Sequence, residues 1–289
     1  MGSEFKIALY GDTEPPNSQV NSGAWSFEKS SFMDRQYCGG LYLPNNDWAD
    51  SQTDYARVTK GSFASCLHGD TITLLALPDQ IITGFYREYI PLLTKGNIVE
   101  AQKCVRENTA EKIVSSVLEE LEVDADKVEK SVVNLTIRHL FRSANIAQRT
   151  SSTGDSQNPN QVRGLHVDNW ETPRKLIPDR CGAGLKLIVN IGTEARHFVF
   201  LNYRADAIYK DHQDSGFGAL QNLIINSDFA SPIADWFLGQ FPSTGLIRIK
   251  LEPGMAVLAP VQNAVHDGDL SGKAQPDAVC MISFKGSNV

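Results

Sequence analysis

The sequence lacks the features of membrane-spanning, secreted and nucleic-acid-binding proteins. No run approaches the roughly 18 apolar residues that a membrane-spanning helix needs. The N-terminus has no basic segment followed by an apolar stretch, so we expect no secretory signal. Acidic residues outnumber basic ones by 34 to 27, which gives a net charge of -7 and disfavours a broad electrostatic surface for nucleic acid. We therefore expect neither a membrane nor a nucleic acid as partner.

Cysteine is scarce, and its spacing excludes two classes of stabilised small domain. The five cysteines are an odd number, far apart and without a CxxC pair, whereas disulfide frameworks and structural zinc sites use clustered cysteines. We expect reduced thiols and a cytoplasmic protein. The chain also has no GxGxxG, P-loop, HExxH or GxSxG motif, so dinucleotide-binding, P-loop NTPase and hydrolase functions lack support.

The composition is that of an ordinary globular protein, with 42% hydrophobic and 21% charged residues. Residues 1–130 are loop-rich and then helical. Asn108 with Glu111 has the form of a capping box, and Ile113, Val117 and Leu121 repeat on one helical face. This pattern predicts an amphipathic helix packed on a flat surface.

From about residue 131, strand-like runs are separated by turn residues. They are Val132–Leu140, Leu185–Ile191, His197–Tyr203, Gly245–Leu251, Met255–Ala259 and Ala278–Phe284. The order of elements predicts an α+β, mainly β fold, with helices packed against a sandwich or barrel. We expect residues 131–289 to form the core and residues 1–130 to pack on it within one structural domain.

A metal-binding pattern lies in this second half of the chain. His166, Val167 and Asp168 form an H-x-D triplet, and on an extended segment residues i and i+2 point to the same side. His266 follows an apolar strand and is the best candidate for a third ligand. Two imidazoles and one carboxylate form the facial triad typical of non-haem Fe(II) oxygenases, which leaves coordination positions open.

The order of these segments resembles that of the Fe(II)- and 2-oxoglutarate-dependent dioxygenases. The matching pieces are Leu135–Phe141, Leu165–Trp170, Pro253–Ala259, His266–Gly268 and Ile282–Phe284. The resemblance implies a double-stranded β-helix, the jelly-roll or cupin-like fold, whose mouth holds Fe(II). It also implies that 2-oxoglutarate chelates the iron. Reaction with dioxygen would then decarboxylate the 2-oxoglutarate and leave a ferryl oxidant, which attacks a bound small-molecule substrate.

The chain departs from this family at one position. Such enzymes commonly have an arginine on the last strand to hold the remote carboxylate of 2-oxoglutarate, and here Val279 or Met281 stands in its place. A buried dianion needs a cationic partner. The first candidates are Arg248 and Lys186, followed by Arg196 and Arg138.

Two further residues are candidates for substrate contacts. Trp170 lies two residues after Asp168, so on an extended segment it points to the same side. We predict that it lines the substrate pocket, and packing in the hydrophobic core is the competing role. Arg138, on the predicted strand Val132–Leu140, is the second. The resemblance also implies a reaction type: related halogenases keep a small residue at the carboxylate position, which Asp168 fills. Hydroxylation, desaturation or oxidative cyclisation is therefore expected instead of chlorination.

Two other functions remain open on the sequence. The missing arginine is compatible with a cupin-type iron oxygenase in which the substrate binds iron directly, without 2-oxoglutarate. A non-enzymatic jelly-roll module that binds a sugar or another small ligand would need no metal at these side chains.

Overall fold

A computed structural model of the chain describes residues 3–27, 31–32, 35–37, 41–59, 63–94, 100, 103, 110–136, 161–162, 164–169, 176–212, 231–275 and 277–286. The described residues up to position 76 form these strands: β1 (Lys6–Tyr10), β2 (Ser18–Val20), β3 (Ala24–Phe27), β4 (Ser31–Phe32), β5 (Arg35–Tyr37), β6 (Leu41–Pro44), β7 (Ala49–Asp50), β8 (Ala56–Val58) and β9 (Thr71–Ala76).

The remaining strands follow residue 127. They are β10 (Val128–Thr136), β11 (Gln161–Val162), β12 (Leu185–Asn190), β13 (Arg196–Arg204), β14 (Leu246–Leu251), β15 (Met255–Ala259), β16 (Ala264–Asp269) and β17 (Asp277–Phe284). The α-helices of the described residues are α1 (Asp79–Thr94), α2 (Ala110–Glu120), α3 (Ala205–His212) and α4 (Ser231–Gln240). A 3₁₀ helix covers Ile177–Gly182.

Two sheets form the centre of the molecule. The larger has seven strands in the order β10-β17-β12-β15-β9-β1-β8, and the smaller has five in the order β16-β13-β14-β2-β7. The larger sheet is mixed. Strand β1 runs parallel to β8 and β9, and all other pairs of neighbouring strands in this sheet are antiparallel. Neither sheet closes into a barrel in the part of the chain that the structure describes.

The two sheets pack face to face through an apolar layer that we call the inner core. The larger sheet contributes residues such as Ile188 and Val257, and the smaller sheet contributes Phe198, Phe200 and Ile249. Because successive side chains of a strand alternate between faces, the residues between these positions lie on the outer faces of the sheets. This alternation decides which side chains can reach the space between the sheets.

Helices cover both outer faces. Ile113 and Val117 of α2 pack in one cluster with Leu187 and Leu258 of the larger sheet. On the other side, α3 and α4 share a cluster with the outer face of the smaller sheet, where Val199 is one contact. The order of layers is helix, sheet, sheet, helix, so the expectation of an α+β, mainly β fold with packed helices is confirmed.

Several sequence-based element predictions agree closely with the structure. Strand β15 has the predicted bounds Met255–Ala259, and β17 begins one residue earlier than Ala278. The amphipathic segment after Asn108 forms α2 (Ala110–Glu120), with its apolar face buried. Periodicity was sufficient here because each element has one apolar side that faces a core layer.

The first 130 residues do more than pack on the core. Strands β1 and β9 are paired on both sides within the larger sheet, and β2 pairs with β14 in the smaller one. These strands are short and their burial is continuous, so the sequence offered no long alternating run to identify them. None of the helices in the described residues has the length and apolar character needed to cross a membrane.

Candidate metal centre

The H-x-D triplet pairs with the edge of the smaller sheet. His166 N donates a hydrogen bond to His266 O at 3.0 Å, and His266 N donates to His166 O at 2.8 Å. This antiparallel bridge places the two residues directly opposite each other next to β16. Their ring centroids lie 4.7 Å apart. Two histidines that are 100 positions apart in sequence thereby become neighbours.

Alternation along the triplet directs its polar side chains to one side. Leu165 and Val167 are fully buried in the cluster beneath the outer face of the smaller sheet. His166 and Asp168 therefore point the opposite way, toward the inner core. On β16, His266 pairs with the inner-core residue Phe200 and lies on the same side. All three polar side chains consequently face the space between the sheets.

The three side chains converge closely enough to share one ion. One ligand atom from each of His166, Asp168 and His266 lies within 4.8 Å of the other two. His166 Nε2 is 3.4 Å from Asp168 Oδ1. Two ligands at right angles around an ion, each about 2.1 Å from it, are separated by about 3 Å. The spacing of His166 and Asp168 is close to that of two adjacent ligands.

Both imidazoles are oriented by the backbone in the same way. His166 Nδ1 lies 2.7 Å from the carbonyl oxygen of Gly164, and His266 Nδ1 lies 2.9 Å from that of Ala264. A carbonyl only accepts, so each Nδ1 carries the proton and donates it. Each Nε2 then offers a lone pair, which is the protein-metal arrangement in which the second ring nitrogen is hydrogen-bonded.

The electrostatics of the group suit a cation. Burial alone would raise the pKa of the Asp168 carboxyl, but the ammonium of Lys186 and the His166 imidazole hold it well below its usual range. Burial, together with the nearby His166, lowers the pKa of His266 to about 3. Asp168 is therefore ionised and His266 is neutral near pH 7. A carboxylate and a neutral imidazole are the protonation states that metal binding requires. Burial opposes the charged form of His166, but the Asp168 carboxylate raises the pKa of this imidazole above its usual value. A metal ion bound at His166 would therefore displace a proton from Nε2.

Lys186 reaches the group from the opposite sheet. It lies on β12, where Ile188 two residues later belongs to the inner core, so its side chain faces inward. Its Nζ donates to Asp168 Oδ2, and its cross-strand neighbours are Ser283 and Ala259. Asp168 thus presents Oδ1 toward His166 and gives Oδ2 to the lysine.

Two further candidate cations, Arg248 and Arg196, do not lie at this group. Arg248 pairs with Val199 on the outer face of the smaller sheet. There it donates to Asp269 Oδ2 at 3.0 Å and covers the ring of Trp48. The register therefore places Arg248 on the outward side of its strand, away from the group of His166, Asp168 and His266.

Arg196 faces inward but lies at the other end of the sandwich. Its Nε is 3.3 Å from Asp277 Oδ1, and Asp277 begins the strand whose seventh residue, Ser283, neighbours Lys186. Six residues of strand span about 20 Å, so Arg196 is remote from the H-x-D triplet. The two predicted substrate contacts, Trp170 and Arg138, lie outside the described residues.

Sequence reasoning missed a buried arginine next to the triplet. Arg180 is 1% exposed and donates through Nη2 to Asn169 Oδ1 at 2.9 Å and through Nη1 to the carbonyl oxygen of Gln262 at 2.8 Å. It lies in the short segment Ile177–Gly182, which has no periodicity. No spacing or motif connects it with the triplet, so no sequence signal could have identified it.

Comparison of the chain with protein-family models, with curated proteins and with solved structures finds no match. The resemblance to the dioxygenases therefore rests on the motif order and on the geometry of the group itself.

Proposed function

We propose that the protein is an Fe(II)- and 2-oxoglutarate-dependent oxygenase that hydroxylates, desaturates or oxidatively cyclises a small molecule. The observation that carries the proposal is the buried group of His166, Asp168 and His266, whose ligand atoms lie within 4.8 Å of one another. We also propose that the two sheets form a double-stranded β-helix, with the metal group at one end of the space between them.

The donor set fits a non-haem iron. Two imidazoles and one carboxylate are the facial triad of Fe(II) oxygenases, and this set leaves three positions for other ligands. In His166 and His266, Nδ1 donates to a backbone carbonyl, so Nε2 is the ring nitrogen that would bind the metal. Zinc enzymes also use histidine and carboxylate ligands, so the choice of iron rests on this ligand count together with the motif order.

A cation for the remote carboxylate of 2-oxoglutarate is present in Lys186. Among the candidates that the structure describes, Lys186 lies at the metal group, whereas Arg248 and Arg196 are paired with Asp269 and Asp277. A charge-assisted hydrogen bond from an ammonium to a carboxylate is stronger than a neutral one. We propose that Lys186 supplies the positive charge to the cosubstrate and also orients Asp168.

When bound, iron with 2-oxoglutarate would supply the activation of dioxygen that no side chain can provide. The chain itself contributes orientation and exclusion of water. Phe198 contacts the ring of His266 with 5.7 Å between centroids, and Phe200 is fully buried beside it. These rings close the side of the group that faces the middle of the inner core, so a substrate would enter from the near end of the space between the sheets.

Anaerobic titration tests the proposal directly. Purified protein is titrated with Fe(II) and then with 2-oxoglutarate, while the weak visible charge-transfer band of the iron chelate is followed. We expect a band with the wild type and none with His166→Ala. His68→Ala is the matched control, because His68 is exposed and outside the group, and it should retain the band.

A second pair of variants separates the two cofactors. Lys186→Met should bind Fe(II) but weaken 2-oxoglutarate about 10- to 100-fold, the value of a charge-assisted hydrogen bond. Lys250→Met, which removes an exposed lysine from the same sandwich, should not change it. Iron binding without any chelate band in the wild type would contradict the use of 2-oxoglutarate and support the cupin-type alternative. Absence of iron binding would contradict the whole proposal.

A further inference from the structure

Arg180 is the largest side chain in the described residues that is almost completely buried. It lies in the 3₁₀ helix Ile177–Gly182, which begins nine residues after Asp168. Burying a guanidinium is costly unless its donors are satisfied. The partners of Arg180 therefore indicate what the residue stabilises.

One guanidinium joins two segments that are distant in sequence. Nη1 donates to the carbonyl oxygen of Gln262 at 2.8 Å and to that of Asp168 at 3.3 Å. Nη2 donates to Asn169 Oδ1 at 2.9 Å. The first partner belongs to the turn between β15 and β16, and the other two belong to the H-x-D segment.

The turn between β15 and β16 leads directly to His266. Val261 O accepts a hydrogen bond from Asp168 N at 2.9 Å. Asn263, fully buried, donates through Nδ2 to Gly69 O at 3.1 Å and accepts from Asp206 N at 2.9 Å. Arg180 and Asn263 thus hold the turn from two sides, and His266 follows three residues after Asn263.

We infer that Arg180 is a positioning residue for the metal group, which sets the distance between the carboxylate of Asp168 and the imidazole of His266. Its guanidinium clamps the backbone that carries each of them, so neither segment can shift without breaking a buried charge-assisted hydrogen bond. This inference rests on the metal-binding part of the proposed function and is independent of 2-oxoglutarate.

The geometry requires a guanidinium. Two nitrogens donate along three directions to acceptors on separate segments, and a planar fork holds these directions fixed. An ammonium on a flexible stem is a point charge and cannot span the same three oxygens. Lysine at this position should therefore fail to replace arginine.

Metal affinity and metal geometry provide the test. Mn(II) binding is measured by electron paramagnetic resonance, and the coordination geometry is read from the visible spectrum of the Co(II) form. Loss of residues that orient metal ligands typically weakens metal binding 10- to 100-fold. We expect Arg180→Ala to weaken Mn(II) binding about 10- to 100-fold and to change the Co(II) spectrum. Millimolar guanidinium ion should restore both, and Arg180→Lys should not.

Arg196→Ala is the matched control, because Arg196 is also buried and charged but lies at the remote end of the sandwich. It should lower thermal stability and leave Mn(II) affinity and the Co(II) spectrum unchanged. If Arg180→Ala does not fold, Asn169→Ala removes one of its acceptors and should give a smaller loss of affinity in the same direction.

Three results with the variants would overturn the inference. One is Mn(II) affinity and a Co(II) spectrum that are unchanged in the Arg180 or Asn169 variants. Another is an equal loss of Mn(II) affinity in Arg196→Ala. The third is a loss of Mn(II) affinity in Arg180→Ala that guanidinium ion does not reverse. Wild-type protein that binds Mn(II) but forms no chelate with 2-oxoglutarate contradicts the proposed oxygenase alone. Wild-type protein that binds no metal contradicts both.

Discussion

At the scale of single residues, the two histidines form the same local hydrogen bond to their own backbone. Each imidazole donates its Nδ1 proton to the carbonyl oxygen two residues before it, Gly164 for His166 and Ala264 for His266. The bond closes a small ring, so the side chain is held close to its own backbone. The tautomer of each histidine is consequently a local property, while the meeting of the two Nε2 atoms depends on the bridge between their strands.

A half-buried carboxyl in a different part of the fold lacks such compensation. Asp235 lies in α4, and desolvation raises its pKa to about 7. The unfolded carboxyl ionises near pH 4. Between these values the folded state binds more protons than the unfolded state, so the free energy of unfolding contributed by this group falls as the pH rises from about 4 to about 7.

We predict that Asp235→Asn increases stability at neutral and alkaline pH. The amide cannot ionise, so the decrease between pH 4 and pH 7 should disappear, with a gain of about 1 to 3 kcal/mol at pH 8. Urea denaturation at pH 5 and pH 8 measures the difference. Asp54→Asn, at an exposed position, should change stability by less than about 0.5 kcal/mol at both pH values. A gain that does not depend on pH would contradict the burial argument.

At the scale of elements, the 3₁₀ helix that carries Arg180 is held by a close backbone contact. A Cβ at Gly69 would lie 2.0 Å from the carbonyl oxygen of Cys181, a distance that no side chain can occupy. Gly69 also accepts the hydrogen bond from Asn263 through its carbonyl oxygen. The turn at residue 69 therefore contacts both the 3₁₀ helix and the turn before β16.

We predict that Gly69→Ala destabilises the protein by more than about 2 kcal/mol, because the added methyl must displace the backbone at Cys181. The displacement should also weaken Mn(II) binding, since the 3₁₀ helix moves with it. Urea denaturation and the Mn(II) titration measure the two effects.

Gly84→Ala is the control for this prediction. Gly84 lies within α1, and its added Cβ would have no neighbour within 4 Å. Alanine is favoured over glycine in a helix interior by about 0.5 to 1 kcal/mol, so this variant should be slightly more stable and bind Mn(II) normally. Equal behaviour of the two variants would show that the contact with Cys181 is unimportant.

At the scale of the whole molecule, the N-terminal strands complete both sheets. Strand β9 pairs with β15 along four residues, from Met255↔Ala76 to Leu258↔Thr73. Strand β2 pairs with β14. Leu9, Ile72 and Leu74 from these first 76 residues also lie in the inner core. Their removal would expose two sheet edges and part of the layer that joins the sheets.

We predict that residues 131–289 do not fold alone. An unpaired edge and an incomplete core cannot offset the loss of conformational entropy on folding. Circular dichroism and urea denaturation of this fragment should show no cooperative transition. Co-expression with residues 1–130 is the control and should restore it. A fragment that unfolds cooperatively and binds Mn(II) would establish the two regions as separate folding units.

Part of this architecture is determined by residues that are close together in the chain, and these parts could be predicted from the sequence alone. Alternation and apolar runs predicted β15 and most of β17, and helical periodicity predicted α2. The i, i+2 relation likewise brings His166 and Asp168 to one side. These features depend on local geometry, which has a fixed period in each type of element.

The remaining features depend on register and on contacts between distant segments. Arg248 and Lys186 were equivalent candidates in the sequence, yet pairing with Val199 turns Arg248 outward while Lys186 faces inward beside Ser283. A shift of one residue in either register would exchange the faces. Arg180 joins Asp168 to Gln262 across 94 positions of chain, a contact for which no local pattern exists. Tertiary structure alone decided these placements, because they follow from how complete sheets pack and not from any period along the strand.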